Sequence, residues 1–220
     1  MAQTLGTIAD GLPIQLPGLP SAIGAASFAR AFCTFGYALH LAAVPSSMPF
    51  ALAREPAFVG AHRLAFVFGA LPAHLELYVH ALGVGRRTAL AQARLLARTA
   101  LLDARLHAAR ILLGDPEALA PRELFEEVGV RLFQSGLDER LRGAWPAARH
   151  DEPARLVGLL GARALRDGLR DRFDADWFRN PRAGVYIRTL SSLPAHEVTE
   201  PSTLLASADA LAREFEEALG

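Results

Sequence analysis

"SFARAFCTFGYALHLAAVP", residues 27–45, decides how the rest of this chain is read. It carries one formal charge, Arg30, opens on Ser27 and closes on Pro45. A serine side chain can accept from the free N–H groups of a first helical turn, and a proline ring ends a helix. We therefore expect a helix from Ser27 to Val44. The charge-free run continues to Ala53, but Pro45, Ser46, Ser47 and Pro49 interrupt it. The remaining apolar length is too short to cross about 30 Å of hydrocarbon.

On the N-terminal side, residues 1–26 are punctuated by Pro and Gly and lack helical periodicity. They read as an extended or loop segment packed on the domain, with no convincing hairpin signal. No basic stretch followed by a continuous apolar run marks a secretory signal there. On the C-terminal side the punctuation is helical throughout. A helix is expected from Ala57 to Ala70, with a break at Pro72 and a continuation to Gly83. The longest helix covers residues 86–114. Arg87, Arg94, Arg98 and Arg105 form a stripe on it, and Leu90, Ala97, Leu101, Ile111 and Leu112 lie on other faces, as in a helix packed on more than one side. A short helix enters through Pro121, another spans residues 152–173, and Asn180 followed by Pro181 is a strong start signal for the next. A last helix closes the chain. The expected class is all-α, with residues 27–220 forming a single helical domain.

Composition narrows the function classes. The chain has 220 residues, is 51% hydrophobic and has a formal net charge of zero. That composition is globular, and it lacks the basic excess of a nucleic-acid binder. All basic residues are arginine, so their abundance is no sign of phosphate recognition. The lone Cys33 forbids an internal disulfide and fits a reducing compartment, which points to the cytoplasm. Only Asp10 and Arg30 are charged among the first 53 residues. A quarter of the chain this poor in charge is expected at the centre of the domain or against another protein.

Within the opening stretch, "FCTFGYALH" has the surroundings of a metallopeptidase motif. Helical zinc peptidases place two histidines four apart on one helix face, with a glutamate between them that polarises the attacking water. The chain resembles the C-terminal part of the thimet oligopeptidase and oligopeptidase F peptidases, whose pattern here is Phe-His-Glu-x-Gly-His-Ala-Leu-His. Phe32, Gly36, Ala38, Leu39 and His40 agree with it. By this resemblance Cys33 stands at the first ligand position, Thr34 at the catalytic glutamate and Tyr37 at the second ligand. His62, followed by "LAFVF", stands at the third. The segment "LRDGLRDRFDADWFRNPRAGVYIRTL" is similar to the family's closing helices. The likeness covers most of the chain after residue 20, and the family's N-terminal half has no counterpart in it.

The substitutions decide the chemistry expected. Thr34 has no proton that titrates near neutral pH and cannot serve as a general base. Tyr37, with an ordinary pKa of about 10, is a poor substitute for neutral imidazole. Cys33 and His62 are legitimate ligand types and make the alternative zinc set, but two ligands fall short of the three or four that such a site requires. We therefore expect no catalytic residue, no cofactor and no metal, and read Cys33, Thr34, Tyr37 and His62 as a vestigial site. Cys33 then behaves as a small buried hydrophobe and His62 as a satisfied interior histidine. Tyr37 fills the lost site with its hydroxyl on a neighbour. His74 and His80 are expected at the surface, and Trp177 and Phe178 in the packing of the last helices.

The expected function is a pseudo-enzyme, a peptidase-like scaffold that binds protein. Its partner would be a second copy or a longer related subunit, held through the charge-poor first quarter, with neither nucleic acid nor membrane involved. The alternatives are a residual metal-dependent hydrolase with an atypical site, and a binder of small molecules or peptides in the vacated cleft.

Overall fold

The computed structural model describes residues 3–7, 13–16, 25–45, 47, 49, 59–114, 119–191 and 201–219. Among these, seven α-helices are present, and the domain is helical as the punctuation predicts. They are α1 (Ala25–Ala43), α2 (Val59–Gly69), α3 (Arg86–Leu113), α4 (Arg122–Phe133), α5 (Glu152–Phe173), α6 (Pro181–Ser191) and α7 (Pro201–Leu219). No described helix is long and apolar enough to cross a membrane.

Two expectations at the N-terminal end are corrected. Residues Gln3–Thr7 (β1) and Pro13–Leu16 (β2) form an antiparallel pair that lies against α1. The register runs from Gln3 opposite Leu16 to Thr7 opposite Pro13, with a bulge between Thr4 and Gly6. The sequence between the strands contains Asp10-Gly11, a dipeptide favoured in hairpin turns. α1 starts at Ala25, so Ser27 sits inside its first turn and does not cap it. The expected start of α2 at Ala57 lies outside the described residues, as do much of the segment after Pro45 and most of the remainder of residues 1–24.

Glycine sets the central packing. α1 and α2 run antiparallel, with Cys33 against Gly69, Gly36 against Leu64 and Ala65, and Tyr37 against His62. A Cβ at Gly36 would run into the Leu64 carbonyl and fall 3.0 Å from the Ala65 Cα, so only glycine allows this approach. α5 crosses the other side of α2, where a Cβ at Gly158 would lie 2.7 Å from the His62 Cβ and 2.8 Å from the Arg63 nitrogen. The main core forms around this crossing from Leu64, Val67, Phe68, Leu169, Trp177 and Ile187. Full burial of a side chain such as Leu169 contributes about 1.5–3 kcal/mol. A second core beside α4 contains Leu113, Phe125 and Val128, and Trp145 meets the Phe125 ring edge-on at 5.7 Å.

Between α2 and α3 the chain makes a 3₁₀ turn at Leu71–Ala73, and then a π-helical turn at Leu77–Ala81 closed by Leu82 N–H donating to the Leu77 carbonyl at 3.2 Å. Pro72 accounts for the first break. α3 differs from its expected packing. Its buried line is Ala89, Ala93, Leu96, Ala97, His107, Ala109 and Leu113, whereas Leu90, Leu95, Leu102 and Leu112 are exposed. Alanines facing inward let neighbouring helices approach closely. Of the arginine stripe, Arg87 and Arg98 are exposed, and Arg94 and Arg105 are half-buried. Two carboxylates of α4 pair within their own helix, Glu126 with Arg122 and Glu127 with Arg131, each at 2.8 Å. At α6 the start signal holds, because Asn180 Oδ1 accepts from Arg182 N–H at 3.0 Å.

Candidate functional site

Of the four positions matched to the peptidase motif, two come together. The Tyr37 and His62 rings sit 5.2 Å apart with a 55° tilt. His62 is 4% exposed, clamped between Tyr37 and the Gly158 backbone, and its Nε2 lies 3.6 Å from Asp151 Oδ2. Burial, helped by Asp151, pushes the Tyr37 phenol above its ordinary pKa, with Arg155 and Arg149 opposing. The ring packs on His62, but no hydrogen bond from its hydroxyl, which was expected on a neighbour, is found among the described residues.

Cys33 and Thr34 point elsewhere. The Cys33 sulfur rests on Gly69, seven residues along α2 from His62. At 1.5 Å rise per residue that is about 10 Å, so the thiol and imidazole share neither a metal nor a proton. Burial pushes the Cys33 thiol up to about 11, which leaves it an inert hydrophobe. Thr34 is exposed, and its hydroxyl donates to the Arg30 carbonyl at 3.0 Å, one turn back on α1. Among the described residues no three His, Cys, Asp or Glu side chains are grouped to hold a metal ion. The residues present do not fit the zinc that the resemblance implies.

A buried carboxylate pair, unremarked in the sequence, organises this region. Asp151 and Glu152 are consecutive at the start of α5, with residue exposures of 5% and 0%. Asp151 faces His62 of α2 and accepts from Arg149 Nε at 3.1 Å, with Arg155 Nη1 at 3.7 Å. Glu152 Oε1 makes a short bond with His107 Nδ1 of α3, and Arg110 Nη1 stands 3.8 Å from the same oxygen. The His107 ring also meets Phe66 edge-on at 6.0 Å. In sequence, "HDEP" reads only as an acidic helix start. Its histidine partners are 89 and 45 positions away, and nothing local announces them.

His40 is 3% exposed and is held neutral, with its pKa lowered to about 4 by burial and then by Arg63. His80 is exposed as expected, and His74 is half-buried. Burial, then Arg166 and Arg170, lower its pKa to about 3, and its Nε2 lies 3.5 Å from Arg166 Nη1. Arg166 also donates to Glu214 Oε2 of α7 at 2.6 Å. These groups line one wall of a cavity of about 740 Å³ between α1, α3, α5 and α7, and Cys33 with several alanines lines another. Tyr37 and His62 do not line it.

No protein-family model, curated protein or solved structure matches this chain.

Proposed function

We propose that the chain is a catalytically inactive, peptidase-like domain of the cytoplasm that acts by binding protein, either a second copy or a longer related subunit. The peptidase origin rests on the agreement of Phe32, Gly36, Ala38, Leu39 and His40 with the motif. The observation that carries inactivity is the Tyr37–His62 contact, backed by Asp151. The phenol at the second ligand position packs on the imidazole at the third, and that imidazole faces a carboxylate. Thr34 supports the same reading, since its only polar group is spent on the Arg30 carbonyl. The residual-hydrolase reading loses its ligand set, because Cys33 and His62 lie on separate stretches of the helix pair.

The test is metal analysis of protein purified without chelator, together with hydrolysis of internally quenched peptides. Substoichiometric zinc and no turnover above buffer are expected. One zinc per chain, or turnover abolished by His62→Ala, would overturn the proposal. Binding of a small molecule is a second reading, favoured by the alanine-lined cavity of about 740 Å³, which falls within the common range of ligand pockets. Saturable binding in a metabolite screen, weakened by Ala162→Leu, would establish it.

A further inference from the structure

We propose that the groove between α1 and α6 docks an apolar, acid-flanked segment of a partner protein. The proposal deepens the protein-binding reading by naming the surface and the chemistry of its occupant. α1 presents the half-buried Phe32, Phe35 and Leu39, spaced by three and four, along one wall, and α6 presents the exposed Gly184 along the other, with Ala183 and Ile187 buried beside it. Phe68 and Trp177 form the floor, their rings 5.6 Å apart edge-to-face. The groove holds about 490 Å³, and Phe32, Phe35 and Leu39 are its lining residues from the charge-poor first quarter of the chain.

Charge identifies the occupant. Arg179 and Arg188, both exposed, stand on the rim, and among the described residues no carboxylate lines the groove. Arg179 has Asp176 at 3.5 Å, whereas Arg188 has no carboxylate at ion-pair distance among the described residues. Phe, Trp and Arg around an apolar floor are the composition of interface hot spots. Two copies set groove to groove would bring arginine against arginine, so symmetric self-pairing is disfavoured. A helix with large apolar side chains at i and i+4, flanked by Asp or Glu, satisfies both floor and rim.

Two short synthetic helical peptides test this, both carrying Leu and Phe at i and i+4, one flanked by glutamates and the other by lysines. Each is titrated into the full chain, with fluorescence polarisation and the Trp177 emission of a Trp145→Phe background as readouts. The glutamate peptide is expected to bind at least about tenfold tighter than the lysine peptide, with Arg188→Glu reversing the order. A Cβ at Gly184 meets nothing within 4 Å, so Gly184→Trp is expected to fill the groove and weaken binding about tenfold while circular dichroism is unchanged. If that variant fails to fold, the rim variant Arg188→Glu still decides. Equal affinity for the two peptides, no binding of either, or indifference to Arg188→Glu would overturn the proposal. So would a concentration-dependent dimer of the chain that Arg188→Glu abolishes. Zinc or turnover would sink the inactive-peptidase reading and leave this result standing, and failed peptide binding would do the reverse.

Discussion

His107 of α3 is bonded through Nδ1 to Glu152 of α5, a carboxylate with no solvent exposure. Glu152 Oε2 has no hydrogen-bond partner among the described residues. Removing one member of a buried pair strands the other in a low-dielectric interior, which costs about 3–5 kcal/mol. Glu152→Ala and His107→Ala are each expected to lose that much in urea unfolding. The double variant should lose less than the sum, as contacting residues do.

Glycine variants separate close approach from open space. Gly36→Ala and Gly158→Ala force α1 and α5 away from α2, at about 1–3 kcal/mol each. Gly184→Ala meets no neighbour and removes a flexible residue from a helix, so a gain of about 0.5–1 kcal/mol is expected. Thermal melts of the three variants check the order.

Cys33 is expected to resist alkylation. A thiol at about 11 rather than 9 has roughly a hundredth of the thiolate near neutral pH, before any loss of access. Iodoacetamide labelling at pH 8 should therefore run at least about a hundredfold slower in the native chain than in urea. Equal rates would place the thiol at the surface.

His40 and His74 give the stability a pH dependence. Their folded values, about 4 and about 3, lie below the ordinary 6.5, so the unfolded chain binds more protons between those limits. Stability from both is complete above about 6.5 and is lost as pH falls toward 4 and then 3. At its steepest each histidine costs about 1.4 kcal/mol per pH unit. Urea midpoints from pH 7 to 4 should fall steadily, and His40→Phe should flatten part of that slope.

Local chemistry made most of the helices legible. Asn180 with Pro181, Pro45 and Gly114 mark their ends through backbone geometry that needs no distant partner. The hairpin escaped because its strands are short and its turn signal rests on two residues. Burial along α3 was legible at Ala97 and otherwise escaped, because alanine has little hydrophobic weight, so Leu90 and Leu112 look more like core than Ala89 and Ala93 do. In the candidate site, Tyr37 and His62 lie side by side, whereas Cys33 and Thr34, grouped with them in the sequence reading, face Gly69 and the Arg30 carbonyl. Asp151 and Glu152 were not legible, because a carboxylate at a helix start is ordinarily solvated, and only the tertiary arrangement supplies His62 and His107.

Because Asp151 and Glu152 are neighbours along one strand of backbone yet grip histidines from two other helices, a single peptide unit ties α2, α3 and α5 together. A local opening that frees one grip strains the other, so these helices should exchange their amide hydrogens as one cooperative block, ahead of no part of it and behind the looser periphery.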